Sequence, residues 1–365
     1  MGNDGVGTGR RARRRSACAA MAVTAVALLI GACGSSDDGG ASSTAAPAGT
    51  GVSTAATATA TTAGGKPVNV AFLVYTYADF HQAQKDGIES VVSKDGGRVQ
   101  VFSANFDPQK QLKQCQDAVS SGRFDAIILE AVEGPTGVPC VAAAKQADIP
   151  VVALDIAVGK DPEKIEPQTD GVVASIVQTP TANAKNLVDI TKEACKGVDP
   201  CKVIAEVATP SDHFTNLGVD TVAKEAGPNV QIEQKVVGQY DPSVIAKAFP
   251  DALSAHPDAT VFLSAADTQA LAVVPAVKQA GKQDEVKLLG NGGSRLGIKG
   301  VEDGTLFATA GNWPFQEAVA AAKAATQAVN GETVDPTGVD ALAIDEPRII
   351  TKANVAEFTP EWGAE

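Results

Sequence analysis

The sequence predicts an α/β protein of two Rossmann-like lobes, a reading that rests on three observations. Short branched apolar runs, such as residues 68–74 and 126–129, alternate with longer segments of helical period. That is the pattern of parallel strands buried by crossover helices. The body from residue 67 to 365 spans 299 residues, more than one hydrophobic core usually serves. Its strand–helix units fit two doubly wound lobes better than a single oversized sheet.

The helices mark their own starts. Asp79 stands three residues before Gln82 in an approximate capping box, and Phe80, Ala83, Ile88, Val91 and Val92 then fall toward one side. Asp107 before Pro108 and Asp241 before Pro242 each join an N-cap acid to a first-turn proline. Leu112, Cys115 and Val119 form the stripe expected to be buried after Asp107. Further along, helices are expected over 181–195, 212–226, 242–255, 267–280 and 315–330. Strands are expected over 202–207, 231–236, 260–263, 286–289, 305–310 and 341–344.

The N-terminal segment is of another kind. Arg10, Arg11, Arg13, Arg14 and Arg15 precede an acid-free apolar run ending in Ile30, Gly31, Ala32 and Cys33. A basic region, a short apolar region and a small-residue processing site read as a secretory signal over 1–32 rather than a spanning helix. The last four residues resemble the bacterial lipobox, with Ile in place of the usual Leu. The resemblance makes Cys33 the lipidated first residue of the mature chain, held to the bilayer by about 0.8 kcal/mol per buried CH₂. Residues 33–66 hold almost nothing to bury and read as a tether, with a span of about 30 Å.

Removing residues 1–32 takes away five Arg and one Asp, leaving 25 basic and 42 acidic side chains and a formal balance of −17. That charge argues against nucleic acid as a partner and against direct adsorption to anionic lipid. Four cysteines follow the anchor: Cys115, Cys140, Cys195 and Cys201. An even number in an exported chain suggests disulfides, with three pairings open. Cys195 and Cys201 are near enough to staple a helix end to the next strand. Cys115 meets Cys140 if successive helices lie on one sheet face, and is otherwise a core residue. The spacings match no common zinc pattern.

Catalytic and cofactor motifs are wanting. Gly290, Asn291, Gly292, Gly293, Ser294 and Arg295 begin like a glycine-rich turn, but Arg295 occupies the place of the third glycine and no Walker Lys follows. The plain reading is a loop after a strand that needs positive φ or close approach to a ligand. His81, His213 and His256 are too scattered for a three-ligand metal site, and no GxSxG elbow is present. No metal and no cofactor are expected.

In the order of its elements, the chain resembles the periplasmic sugar-binding proteins of the ribose and galactose type, the substrate-binding components of ATP-driven (ABC) importers. The landmarks are Phe80 seven residues before Gly87; Asp107 and Pro108; the stretch from Ala147 to Asp155; Ala255, His256, Pro257, Asp258 and Ala259; Asp267; and Ala280 with Gly281. The resemblance implies lobe one over 67–176 plus 312–342, lobe two over 177–311 plus 343–360, three crossings between them, and a ligand in the cleft at the strand ends.

It also implies site positions. Phe80 stands where an aromatic packs on a sugar ring, His81 at a second aromatic position, Glu133 where an acid accepts hydroxyl protons, and Asn312 at a late polar contact. Asp155 ends an aliphatic–Asp pair. Ile156 and His213 replace arginines, Ala266 replaces an Asn before Asp267, and Gly292 replaces an acid. Such losses point to a less hydroxylated ligand, or to polar groups supplied by Asn105, Asn291, Ser294, Arg295 and Gln316. Tyr75, Tyr77 and Trp313, near expected strand ends, are further stacking candidates.

The expectation is a monomeric, lipid-anchored extracytoplasmic receptor that binds a small molecule and hands it to an ABC permease. Two competing readings are a receptor that signals to a membrane sensor and an exported enzyme using Glu133 and His81.

Overall fold

The computed structural model describes residues 66–210 and 212–364. The expected signal segment 1–32, Cys33 and all of the tether except Lys66 lie outside the described residues. Among the described residues, no helix is long and apolar enough to cross a membrane.

Strand β1 (Val70–Val74) is buried at every position, as a central parallel strand covered on both faces must be. It leads through α1 (Asp79–Val92), β2 (Val99–Ser103), α2 (Pro108–Ser120), β3 (Ala126–Leu129), α3 (Gly134–Gln146) and β4 (Val151–Asp155) to β5 (Val172–Val177). The chain continues through α4 (Pro180–Ala194), β6 (Cys201–Val207), α5 (His213–Glu225), β7 (Val230–Val237), α6 (Pro242–Ala255) and β8 (Val261–Leu263). Then come α7 (Asp267–Ala272), α8 (Val274–Gln279), β9 (Lys287–Gly292), α9 (Arg295–Asp303), β10 (Ala308–Gly311), α10 (Pro314–Val329), β11 (Val339–Asp340) and β12 (Ile349–Thr351).

These strands make two six-stranded sheets, ordered β11-β5-β4-β3-β1-β2 and β12-β10-β9-β8-β6-β7. All pairings are parallel except that of β12 with β10. The chain passes between the sheets after β5, after β10 and after β11. Each sheet divides its side chains by parity. In the first, Val70, Phe72 and Val74 pack with Ile88 and the alanines of α10, while Ala71 and Leu73 pack with Cys115, Cys140 and Val141. The alanines let α10 lie close to α1. A Cβ on Gly87 would fall 2.5 Å from the carbonyl oxygen of Phe315.

The cysteines resolve to Cys115–Cys140, joining α2 and α3, and Cys195–Cys201, joining the end of α4 to β6, with Cα separations of 5.7 and 5.5 Å. The Asp caps also form: Asp107 accepts from the N–H groups of Gln109 and Lys110, and Asp241 from that of Ser243.

Several expectations are corrected. The helix expected over 267–280 is two, broken at Val273 ahead of Pro275, since proline cannot donate to the ladder and crowds the preceding turn. The strand expected over 341–344 is instead a short 3₁₀ turn at Ala341–Ala343, closed by Asp340 accepting from the Leu342 N–H at 3.0 Å. The strand lies just before it, at β11. Helix α9 and strands β2, β5 and β12 were not anticipated. In α1, it is His81 rather than Gln82 that reaches back, its Nδ1 accepting the Ala78 N–H at 3.2 Å. In α2 the buried residues are Gln111, Cys115 and Ala118, with Leu112 and Val119 only partly covered.

Candidate solute-binding cleft

In open α/β sheets the carboxyl ends of the strands face a crevice, and in both lobes those ends are polar. β1 leads into Tyr75, β3 into Glu130, and β4 ends on Asp155, whose φ of 59° lies in the left-handed region that Asp tolerates better than most residues. Glu130 is fully buried. Its Oε1 accepts from Gln84 Nε2 at 3.1 Å, and the same amide donates to Glu317 Oε1 at 2.8 Å. Because His81 Nδ1 accepts a backbone N–H, the ring proton sits on Nε2. That nitrogen stands 3.2 Å from Glu130 Oε2, without the alignment of a hydrogen bond. Gln111 fixes the strand end from behind, donating to the Glu130 carbonyl at 2.9 Å and accepting from the Val132 N–H at 3.0 Å.

Three carboxyl groups thus share one poorly solvated space. Burial, then the charge of Glu130 and a hydrogen bond with it, push Asp155 well above the usual carboxylate range, against a hydrogen bond from Gln178 that pulls it down. Burial and the charge of Asp155 do the same to Glu317. Burial and the charges of Glu130 and Asp155 also raise the Tyr75 hydroxyl. The Tyr75 ring meets His81 edge-on at 5.0 Å and Phe106 at 5.5 Å.

The second lobe supplies a matching acid. Glu206, 2% exposed, accepts at Oε2 from Ser264 Oγ at 2.7 Å and from the Ala265 N–H at 3.1 Å, while its Oε1 has no partner. Burial raises this group to about 7 against those two bonds. A Cβ on Gly238 would fall 1.6 Å from Oε1, so glycine is required beside it. Glu206 lines a small cavity with Asn183, Phe214, Ser264, Ala265 and Asn291. Asn291 donates to Asn183 Oδ1 at 3.2 Å; its own Oδ1, like that of Asn312, is buried without a partner. Tyr240 is 41% exposed, yet crowding around it and the charges of Asp212, Glu206 and Asp155 raise its hydroxyl.

The residues singled out from sequence divide into three groups. Tyr75, His81, Asp155, Asn291 and Asn312 carry the polar strand ends just described, with Ile156 half-buried beside Asp155. Tyr77, Asn105, Glu133 and His213 are exposed. Tyr77 donates to Gln82 at 2.6 Å, Asn105 accepts from Ser103 at 2.8 Å, and Glu133 begins α3 with its N–H on Thr136 Oγ1 at 3.2 Å. The acid beside His81 is Glu130, not Glu133.

Asp267 and Trp313 belong to the interior. Asp267 is fully buried and accepts from the Ser294 N–H at 2.7 Å, Ser294 Oγ at 2.9 Å and Thr309 Oγ1 at 2.5 Å. These bonds knot α7, β10 and the start of α9 together. Trp313 packs in the second lobe's core, 5.7 Å from Phe358. The Phe80 ring stands edge-on to Trp362 at 5.4 Å, and Trp362 Nε1 donates to the Gly292 carbonyl at 2.8 Å.

Sequence reasoning missed Glu130, Glu206, Glu317, Tyr240 and Trp362. An acid at the end of a buried run, as in Glu130 after 126–129 or Glu206 within 202–207, was the available signal. A second groove, of about 900 Å³, follows the crossing segments between Glu163, Thr181, Lys185, Asp189, Glu346 and Arg348. It shares none of the strand-end residues.

Over residues 70–333 the sequence matches the family described as periplasmic binding protein domain. The chain belongs to the periplasmic binding protein family. Members of this family bind solutes without turning them over, and this chain is not an enzyme. This periplasmic binding protein is 28% identical over 256 residues to the ribose import binding protein of Escherichia coli strain K12, covering 70% of this chain and 82% of that protein. It is 25% identical over 270 residues to a D-ribose/D-allose-binding protein of Pseudomonas aeruginosa, covering 70% and 80%.

Among solved structures, an ABC transporter solute binding protein of Mycobacterium smegmatis with bound glycerol aligns at a TM-score of 0.67 and 24% identity, over 82% of this chain and 99% of that one. One from Actinobacillus succinogenes with bound D-allose aligns at 0.67 and 17%, over 80% and 100%. At these identities the structural likeness shows the fold, which is the two-lobed α/β architecture of the type I periplasmic binding proteins.

Proposed function

We propose that the chain is an extracytoplasmic solute receptor that captures a sugar or sugar-like molecule between its lobes and delivers it to an ABC importer. In this reading residues 1–32 are a signal peptide, Cys33 carries lipid, and 33–66 tether a monomeric body made of lobe one (67–176 plus 312–342) and lobe two (177–311 plus 343–360). The observation that carries it is the set of buried acceptors left without partners at the strand ends, Glu206 Oε1, Asp155 Oδ1, Asn291 Oδ1 and Asn312 Oδ1. Unpaired buried polar atoms are costly, and solute hydroxyls supply the missing donors. The ribose and ribose/allose binding functions of its relatives support the same class.

Asp155, Asn291 and Asn312 are the proposed direct contacts, with Tyr75 and Phe80 as ring surfaces; His81 orders Glu130 behind them. Calorimetric titration of the purified chain with a panel of sugars and polyols tests the reading. One member is expected to bind saturably, and Asn291→Ala and Asn312→Ala each to weaken it about 5- to 30-fold, each lost buried hydrogen bond costing about 1–2 kcal/mol. A panel without a saturable ligand sinks the proposal.

A further inference from the structure

Among the described residues, the cleft is rich in acids, and the charges acting on its buried groups are acidic. The strongest charges acting on Tyr75, Asp155, Glu317 and Tyr240 come from Glu130, Asp155, Glu206, Asp212, Glu317 and Glu361, with no Lys or Arg among them. Gln84 serves Glu130 and Glu317 with a single amide, and His81 offers Glu130 an imidazole whose other nitrogen is held as an acceptor. Arg295, the cation next to the glycine turn, is engaged elsewhere, donating to the Gly363 carbonyl at 3.1 Å.

Two unpartnered acid oxygens point to a missing donor. They lie in opposite lobes: Asp155 Oδ1 in the first and Glu206 Oε1 in the second, the latter in a residue only 2% exposed. A neutral sugar answers this arrangement poorly. Its hydroxyls donate, but its ring oxygen only accepts, and it brings no positive charge to a cluster of acids. A protonated amine brings three donors and a positive charge. Among the described residues no group of His, Cys, Asp and Glu is arranged to hold a metal ion, which favours an organic cation over a bare one.

We infer that the solute is a polyhydroxylated amine, such as an amino sugar or amino polyol, whose ammonium group is recognised by Asp155 from the first lobe and Glu206 from the second, with Glu130 and Glu317 as the negative layer behind. The inference rests on the solute-receptor reading and narrows its substrate class. An ammonium ion shared by acids from both lobes is bound better when the lobes are together, so the charge itself drives closure.

The test is calorimetric titration of the full chain with matched pairs that differ at one position, where only one member carries a positive charge: D-glucosamine against D-glucose and N-acetyl-D-glucosamine, and D-galactosamine against D-galactose. At least one amine is expected to bind about 100-fold more tightly than its neutral partners, the scale of a buried charge pair. Glu206→Gln, which preserves size, and Asp155→Asn, which preserves tolerance of the left-handed backbone, are each expected to reduce that preference to less than about tenfold. Equal or tighter binding of the neutral sugars overturns the inference and leaves the receptor reading standing. Binding of neither class across these pairs and the wider panel overturns both. If Glu206→Gln fails to fold by circular dichroism, Asp155→Asn and the matched pairs still decide the matter.

Discussion

Glu206 holds its proton to about 7 in the folded chain against an ordinary value of 4.5. Between those values the folded state keeps a proton that the unfolded state has released, so this residue's contribution to stability falls as pH rises through that window and stays lost above it. The shift corresponds to at most about 3 kcal/mol. Glu206→Gln is therefore expected to stabilise the unliganded protein by up to about that amount at pH 8 and by little at pH 5, as urea unfolding at the two pH values would show. A variant that is more stable and binds more weakly would mark Glu206 as a residue kept for the ligand. Its role was only half legible in the sequence: an acid inside a buried strand is visible, but its missing partner depends on Gly238, Ser264 and Tyr240, which come together only in the fold. Asp267 shows the converse. It stood at a ligand position by resemblance, and its neighbours Ser294 and Thr309 occupy it completely.

At the scale of elements, most strands and helices could be read directly, because branched apolar runs and Asp-Pro starts are local signals. What was misread depended on context. The turn at Ala341–Ala343 is apolar enough to pass for a strand, and α9 announces itself only through Ser294, whose Oγ accepts from the Gly297 N–H at 3.0 Å. The two disulfides differ in what they close. Cys115–Cys140 spans a sequence separation of 25 and Cys195–Cys201 one of 6. On the chain-entropy account the longer loop contributes about 3.5 kcal/mol and the shorter about 2.4 kcal/mol. Replacing the first pair with alanines should accordingly lower stability by about 1 kcal/mol more than replacing the second. Chemical denaturation of the two double variants checks the order.

At the scale of the molecule, two lobes and three crossings were foreseen, but the role of the last described residues was not. Trp362 touches Phe80 of the first lobe and the Gly292 carbonyl of the second, and Glu361 accepts from the N–H groups of Phe315 and Gln316 at 2.9 and 3.2 Å. These contacts form a seam that ties the last described residues to both lobes. Trp362→Ala is expected to loosen it, increasing the radius of gyration of the unliganded protein in solution scattering and speeding ligand release severalfold. An unchanged scattering profile would assign Trp362 to the second lobe alone.

The interleaving of the lobes also sets an order of assembly. Helix α10 is made after the whole second sheet except β12, yet it covers β3, β4 and β5 of the first, and the Gln84–Glu317 bond joins residues 233 apart. Until α10 arrives, that face of the first sheet has α1 on it but lacks the helix that covers β3, β4 and β5, and long-range closure of this kind is slow. Each lobe waits on a late segment, the first on α10 and β11 and the second on β12, so a chain emerging N-terminus first carries incompletely covered apolar sheet through most of its synthesis, a state that suits handling by chaperones before either half of the cleft is complete.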